Sequence, residues 1–257
     1  LPTPEDGVVV TTDGPVTIVR IHRPQVRNAV DAPTGTALLR AFEDFNSDDS
    51  QSVAILTGGP DIFCSGFDLK YLSNYGASTY DPEGAGMMGP TRAALSKPVI
   101  AAVEGHAVAG GLELALWCDI RIASSTAVFG VYCRRFGVPL IDGGTVRLPR
   151  LIGESRAMDM ILSGRPVAAE EALQFGLANR LVPKGAALEE AMIYARNISA
   201  FPQLCMNTDR AGVYRQWSMP ERDALGFEAR EGLKPVQEES VLGATTFVKG
   251  AGRGGIF

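Results

Sequence analysis

The sequence predicts a mixed α/β fold that ends in an all-helical region. Up to about residue 150, short apolar runs rich in Val and Ile alternate with segments of helical periodicity. From Glu154 onward, one helical segment follows another. The chain has 257 residues, of which 46% are hydrophobic and 21% charged. That is enough for one large domain, or for one domain with a helical appendage.

Turn residues and β-branched runs mark the first elements. Two such runs, over 8–12 and 16–22, are joined by Asp13-Gly14, a sequence typical of a hairpin turn. The segment 71–89 is rich in Gly, Ser, Asn and Tyr, so we expect a mobile loop with one helical turn at most. Apolar patterns predict the other elements of this part: helices over 33–46 and 112–117, and strands over 53–56, 98–103, 120–123 and 128–129.

The last hundred or so residues are predicted to form helices only. Apolar residues recur there three and four positions apart, which is the spacing of one helix face. The predicted helices cover 156–162, 169–175, 188–198, 203–216, 221–233 and 238–249.

Charge and composition exclude several classes of function. The chain has 24 Lys and Arg against 29 Asp and Glu, a formal net charge of -5, and no basic run. This argues against nucleic acid or an anionic membrane as a partner. With two histidines, a multi-histidine metal site is nearly impossible and a histidine general base is unexpected. We therefore expect neither a metal site nor nucleic-acid binding.

Cysteine use and the first residues favour a cytoplasmic location without membrane association. The four cysteines, Cys64, Cys118, Cys133 and Cys205, are widely spaced, which is typical of reduced thiols. The chain has no run of about 18 apolar residues, the length that a membrane span needs. Its start, LPTPEDG, has neither the basic nor the apolar region of a signal peptide.

A strand that meets glycines before an apolar helix is the first candidate site. Gly110 and Gly111 stand at this junction, where the first helical amides lack partners within the helix. Together with the helix dipole, such amides can bind an anion or stabilise a developing oxyanion. Glu113 lies one helical turn from Gly110, on the same face. It is therefore either a general base or a salt-bridged glutamate in a tight packing turn.

Five segments together resemble the enoyl-CoA hydratase/isomerase (crotonase) superfamily, in that family's order and over nearly the whole chain. The most specific is Lys97–Ala123, KPVIAAVEGHAVAGGLELALWCDIRIA, which matches the block KPxIAAVxGxAxGGGxELALxCDxRIA at most positions. The other segments are Arg23–Asp31, Ile62–Lys70 (IFCSGFDLK), Val128–Gly153 and Gly164–Pro183.

The resemblance implies a fold and an assembly. The fold is a spiral of ββα turns with two roughly perpendicular sheets, followed by a helical region used in trimerisation. On this sequence the spiral core covers 1–195 and the oligomerisation region 196–257. The resemblance further implies a homotrimer or homohexamer and an acyl-CoA or enoyl-CoA substrate, with no cofactor beyond the coenzyme A of that thioester.

The resemblance also implies site residues. The backbone amides of Phe67 and Gly110 form an oxyanion hole, and Glu113 is the catalytic carboxylate. Asp68 follows the second glycine turn and is a candidate helix cap as well. The residues implied in binding CoA or substrate are Arg27, for the phosphates, and Ala29, Ser65, Asp68 and Leu69.

The sequence departs from the family at its second glutamate. The family's FGxPE motif reads FGVYC here, so Cys133 stands in the glutamate position. A thiol with a pKa of about 8.5 is a poor substitute for a carboxylic acid, although Arg134 and Arg135 could lower that value. Asp142, nine residues on, is the alternative second carboxylate, because other branches of the superfamily place a catalytic Asp in this stretch. Its alternative role is to cap the following helix.

The leading hypothesis for the function is syn-hydration of a 2-enoyl-CoA through an enolate. Glu113 would activate or hold water, and Asp142 or a solvent-derived acid would protonate the α carbon. Double-bond isomerisation ranks second, because it needs one well-placed base, and thioester hydrolysis or another enolate reaction of a CoA thioester ranks third. A non-catalytic acyl-CoA-binding protein is the alternative of a different class, supported by Cys133 and opposed by the retained Glu113.

Overall fold

The chain forms two compact units, one ending at Arg196 and the other beginning at Asn197. The computed structural model describes residues 6–76, 80–250 and 252. The strands of the described residues are β1 (Val8–Asp13), β2 (Val16–Ile21), β3 (Val53–Thr57), β4 (Val99–Val103), β5 (His106–Val108), β6 (Ile120–Ser124), β7 (Val128–Gly130), β8 (Val167–Ala168) and β9 (Arg180–Val182).

Helices connect these strands and make up the C-terminal unit. Short 3-10 helices cover Pro24–Val26, Pro90–Arg92, Tyr132–Phe136 and Gln216–Ser218, and a π-helix covers Val236–Ser240. The α-helices of the described residues are α1 (Ala32–Ser47), α2 (Leu69–Tyr75), α3 (Gly110–Trp117), α4 (Gly144–Ile152), α5 (Glu154–Ser163), α6 (Ala169–Phe175), α7 (Ala187–Ser199), α8 (Gln203–Arg215), α9 (Glu221–Pro235) and α10 (Val241–Val248).

The strands of the first unit form two sheets. The larger has the order β1-β2-β3-β4-β6-β9 and the smaller the order β5-β7-β8. The hairpin β1–β2 is antiparallel, as the Asp13-Gly14 turn predicts, and the other pairs of the larger sheet are parallel. In the smaller sheet, β5 pairs with β7 in parallel and β7 with β8 antiparallel. Neighbouring parallel strands therefore end at one edge, where the loops of the candidate site begin.

The core lies between the larger sheet and the helices that pack on it. Every residue of β3 and β4 is buried, which explains their unbroken apolar sequences VAILT and VIAAV, since strands covered on both faces need no polar alternation. Phe42 of α1 meets Trp117 of α3 edge to face, with ring centroids 4.8 Å apart. The helix that carries Glu113 is thereby anchored in the core, because all its residues are buried.

The segment 71–89, predicted as a loop with one helical turn at most, begins in a helix and ends in the protein interior. Its first residues belong to α2, which begins because the Asp68 carboxylate accepts hydrogen bonds from the amides of Lys70 and Tyr71. Its last residues lie in the interior, where Met88 is 1% exposed. Residues 77–79 lie outside the described ranges. The sequence did not predict this burial, because the apolar stretches of the segment are short and interrupted by glycines and so show no periodic pattern.

The second unit is helical, as its periodicity predicts. Glu239 of the π-helix accepts hydrogen bonds from the amides of Leu204 and Cys205 and so caps α8. Large apolar side chains are exposed on this unit, among them Val241 and Leu242, at 70% and 72%. Within the described ranges, every helix falls short of the length and apolar character that crossing a bilayer requires.

Candidate active site

The junction of β5 and α3 presents an unpartnered amide. Ala109 precedes the helix with φ 54° and ψ -125°, a backbone conformation that is strained for a residue with a Cβ. Its own N–H donates to the carbonyl of Gly130 at 2.8 Å, which fixes the turn to β7. The next amide, that of Gly110, has no hydrogen-bond acceptor among the described residues. The first turn of α3 therefore offers a free N–H, as the glycines predicted.

A second unpartnered amide lies beside it. The Val30 carbonyl accepts a hydrogen bond from the Asp68 amide at 2.8 Å, and the Val30 amide donates to the Gly66 carbonyl at 2.9 Å. The amide of Phe67, which lies between Gly66 and Asp68, is left without an acceptor in the described chain. A Cβ on Gly66 would lie 3.0 Å from the Gly110 nitrogen, so the two turns approach closely and glycine is required. The turns that carry the two unpartnered amides therefore lie in close contact. That Phe67 and Gly110 form an oxyanion hole stays a prediction.

Both turns open into one cavity of about 330 Å³. Its walls are mainly apolar and aromatic, with two carboxylates and one thiol among the side chains that reach it. Of the residues proposed from the sequence, the cavity brings together Ser65, Phe67, Leu69, Gly110, Glu113, Cys133 and Asp142.

Glu113 is held by the backbone of another segment. Its side chain is buried, with the residue 3% exposed. One carboxylate oxygen, Oε1, accepts hydrogen bonds from the amides of Asp142 at 2.9 Å and Gly144 at 2.8 Å. Since Gly144 is the first residue of α4, Glu113 caps that helix from outside. No ion pair to Glu113 occurs among the described residues, so the salt-bridge alternative is wrong.

Burial changes the acidity of Glu113. Loss of hydration raises the pKa of its carboxyl to about 7, and the nearby charge of Asp142 acts in the same direction. The two amide donors and Arg147 oppose the rise but do not cancel it. A carboxyl with a pKa near neutrality can both accept and release a proton at physiological pH, which suits a general acid–base.

The raised pKa makes folding stability depend on pH. The pKa of Glu113 is about 7 in the native protein and 4.5 in the unfolded chain. Because the native state binds the proton more tightly, the free energy of unfolding falls as pH rises between these two values. At about 1.4 kcal/mol per pH unit, the loss approaches roughly 3 kcal/mol. Urea unfolding at about pH 5 and pH 8 should therefore show a larger decrease in the free energy of unfolding for the wild type than for Glu113→Gln. Equal drops would contradict this assignment.

Asp142 is oriented by a segment far away in sequence. Its Oδ1 accepts hydrogen bonds from the Met88 amide at 3.0 Å and from the Thr91 hydroxyl at 2.5 Å. The second oxygen, Oδ2, has no protein partner among the described residues, and the side chain lines the cavity. The capping alternative is wrong, because α4 begins at the N-cap Gly143 without a side-chain cap, and Glu113 accepts its first amide instead.

Cys133 lies in the cavity wall as a neutral thiol. Burial raises its pKa above the ordinary value, and the charge of Glu113 raises it further. Arg134 acts in the opposite direction on this pKa but does not cancel the rise. The Arg134 side chain donates to the Ile161 carbonyl, and Arg135 donates to the Gly164 carbonyl while stacking over Tyr132. The alternative in which they activate the thiol is therefore disfavoured, since the thiolate is the reactive form.

The residues predicted to bind coenzyme A lie on and next to the turn that contains Phe67. Arg27 is exposed, with φ 55°, and its carbonyl accepts the Ser65 amide at 3.2 Å. The Ala29 carbonyl accepts a hydrogen bond from Arg23, which also pairs with Asp68 at 3.5 Å. Leu69, at the start of α2, is 41% exposed. Their role toward coenzyme A stays a prediction.

Sequence reasoning missed the residues that hold Asp142. Met88 and Thr91 support Asp142, and Arg147 donates to the carbonyls of both Asp142 and Thr91, at 3.0 and 2.6 Å. Arg147 stands in the RLPR stretch of a family-like block, which is a signal. Thr91 stands in none, and its partner is 51 residues away.

The comparison with family models decides the classification. Residues 11–249 match the model of the enoyl-CoA hydratase/isomerase family. The chain belongs to this family. The resemblance found in its sequence blocks is thereby confirmed.

Curated relatives and solved structures agree with this classification. Relatives of the chain include enoyl-CoA hydratase EchA19 of Mycobacterium tuberculosis, 35% identical over 90% of each chain, and a carnitinyl-CoA dehydratase of Salmonella typhi, 38% identical over 75% of this chain and 74% of that protein. Crystal structures of an enoyl-CoA hydratase from M. tuberculosis (34% identical) and of EchA1 from Mycobacterium marinum (32% identical) superpose with a TM-score of 0.89, each covering 95% of this chain and 96% of that one. The predicted crotonase-like fold is confirmed.

Proposed function

We propose that the protein is an acyl-CoA hydratase that adds water to the double bond of a 2-enoyl-CoA and catalyses the reverse dehydration. The observation that carries this proposal is a buried carboxylate, Glu113, with one oxygen held by two amides and the other free in a cavity that also contains two unpartnered amides. That set matches the needs of the reaction: a site for an oxyanion and a group that moves a proton.

The two free amides act on the thioester. As the water oxygen bonds to the β carbon, the electrons of the double bond shift to the carbonyl oxygen and form an enolate. The amides of Phe67 and Gly110 donate to that oxygen. Loss of one such donor costs about 3 kcal/mol in other enzymes, so two account for much of the rate enhancement. The enolate then takes a proton at the α carbon and becomes the hydroxyacyl thioester.

The two carboxylates divide the handling of water. Glu113, with a pKa of about 7, accepts the proton that water loses and returns it to the α carbon, so one group serves as base and then as acid. Asp142 accepts the second hydrogen bond of the water on Oδ2 and orients it. This differs from the scheme expected from sequence, in which Asp142 or solvent protonates the α carbon. Cys133, a neutral thiol, shapes the wall of the cavity.

The alternatives have weaker support. Isomerisation and thioester hydrolysis are not favoured, because the curated relatives described above are named hydratase or dehydratase. A pure binding protein would have no use for a desolvated carboxylate beside the free amides, since burial of such a group costs stability.

The test is direct. Purified protein is incubated with crotonyl-CoA and with longer 2-enoyl-CoAs, and the enoyl thioester absorbance is followed together with the hydroxyacyl-CoA product by mass spectrometry. We expect turnover with at least one chain length. Tight acyl-CoA binding without turnover across the series would overturn the hydratase proposal in favour of the binding protein.

Finer features of this proposal follow the family. We infer a homotrimer or homohexamer in the cytoplasm, with coenzyme A entering only as part of the substrate. Exposed apolar side chains of the second unit, such as Leu233 and Leu242, support subunit contacts there. The exposed Arg27 is proposed to bind the CoA phosphates. The backbone of Ala29, Ser65 and Leu69, beside Asp68, is proposed to bind the adenine part of coenzyme A.

A further inference from the structure

We propose that Thr91 is a positioning residue for the hydration, which acts by holding Asp142 so that one carboxylate oxygen faces the cavity. This inference rests on the proposed function and names a residue that no family-like block contains. We call Gly86, Met88, Thr91 and Arg147 the Asp142 clamp.

The hydroxyl of Thr91 is the shortest contact to Asp142. Its Oγ1 donates to Oδ1 at 2.5 Å, inside the range of strong hydrogen bonds to a carboxylate. Thr91 is fully buried, so water cannot replace this donor. A β-branched side chain also has few rotamers, which keeps the hydroxyl in place.

The hydrogen bond between Thr91 and Asp142 requires a glycine at position 86. A Cβ at Gly86 would lie 2.1 Å from Asp142 Oδ1 and 2.1 Å from Thr91 Oγ1. The backbone of this segment therefore passes directly over the hydrogen bond, and a side chain at this position would force the two groups apart. The Met88 amide completes the set as the second donor to Oδ1.

Arg147 fixes the backbone on both sides of the same hydrogen bond. Its two terminal nitrogens reach different carbonyls: Nη1 donates to Asp142 at 3.0 Å and Nη2 to Thr91 at 2.6 Å. One guanidinium thus sets the separation of the two residues whose side chains meet. With Oδ1 occupied by two donors, the remaining oxygen is the one available to a ligand in the cavity.

The clamp also reaches the oxyanion hole. A Cβ on Gly110 would lie 2.4 Å from the sulfur of Met88, so the Met88 side chain packs directly on Gly110. The backbone amide of Met88 donates to Asp142 at the same time. The water-orienting carboxylate and the oxyanion hole are therefore placed relative to each other by one short segment. A shift of about 1 Å in such a relation can cost 10²-fold in rate.

The experiment compares Thr91→Val with Thr91→Ser in enoyl-CoA hydration. Valine keeps the shape and loses the donor, whereas serine keeps the donor. We expect Thr91→Val to lower kcat about tenfold or more with KM little changed, and Thr91→Ser to restore most of the loss. Should the valine variant not fold, Thr91→Ala replaces it in the same comparison. Thr17→Val is the matched control, because it removes another buried hydroxyl, bonded to Gln51 at 2.9 Å, away from the cavity.

A double-mutant cycle with Asp142→Asn separates positioning from general damage. If Thr91 acts through Asp142, the valine substitution lowers kcat much less in the Asp142→Asn background than in the wild type. Equal, additive losses in both backgrounds, or a serine variant as slow as the valine variant, would overturn the inference. A wild type without turnover would instead refute the proposed function, and an unaffected Asp142→Asn would refute the role of Asp142.

Discussion

Replacement of Glu113 by glutamine should lower kcat for hydration about 10²- to 10⁴-fold, the usual contribution of a general acid–base. The amide group cannot take the proton from water, because its free position carries an NH₂ in place of Oε2. Its oxygen can still accept from the amides of Asp142 and Gly144, so α4 remains capped. Steady-state kinetics with the best enoyl-CoA of the series measure the effect, and KM should change little.

Glu104 provides the matched control for this substitution. It is a second buried glutamate, 4% exposed, whose Oε1 accepts the first amide of α7 from Ala187 at 3.0 Å. Glu104→Gln changes the same chemical group in the same kind of contact, but outside the cavity lining. We expect kcat near the wild-type value. Turnover by Glu113→Gln at the wild-type rate would remove Glu113 from the mechanism.

Replacement of Asp142 by asparagine should lower kcat roughly 10²-fold, because the water would lose its orienting acceptor. The asparagine oxygen can still accept from Met88 and Thr91, which leaves the NH₂ facing the cavity. The substitution has a second signature. Since the charge of Asp142 helps to raise the pKa of Glu113, its loss should move the acidic limb of the kcat profile below about pH 7. The measurement is a pH–rate profile for wild type and variant.

Asp119→Asn is the control for that experiment. The Asp119 carboxylate accepts the Val99 amide at 2.7 Å, so it shares the backbone contact but lies outside the cavity lining. Its replacement should leave the pH–rate profile unchanged. An Asp142→Asn variant with the wild-type rate and profile would show that Glu113 works without a second carboxylate.

Local sequence signals predicted most of the fold. The Asp-Gly hairpin, the buried runs VAILT and VIAAV, and the periodic helices from α5 onward all occur within a few residues of the expected bounds. The exceptions are short. Strand β5 has three residues and begins with an exposed histidine, and α2 has seven residues and depends on the Asp68 cap. The expectation of helices only in the last hundred or so residues was wrong, because β8 and β9 lie there, with two and three residues. None of these elements is long enough to develop a periodic pattern.

The site was predictable where one segment contains it. Glu113 and Gly110 share a single turn, so spacing alone placed them on one face. The network around Asp142 was not predictable, because Thr91 is 51 residues from Asp142 and 56 from Arg147, so it meets them only through the tertiary fold. No local pattern distinguishes Thr91 from a surface threonine, and the contact had to be found in three dimensions.

The cap that Glu113 forms on α4 gives the site a built-in reporter. The amide hydrogens of Asp142 and Gly144 point at a carboxylate oxygen that gains and loses a proton near neutral pH. Their chemical shifts and exchange with deuterium therefore follow the charge of Glu113 from the main chain, without a label in the cavity. Nuclear magnetic resonance of two backbone signals can thus follow the ionisation of the proposed base when a substrate analogue enters.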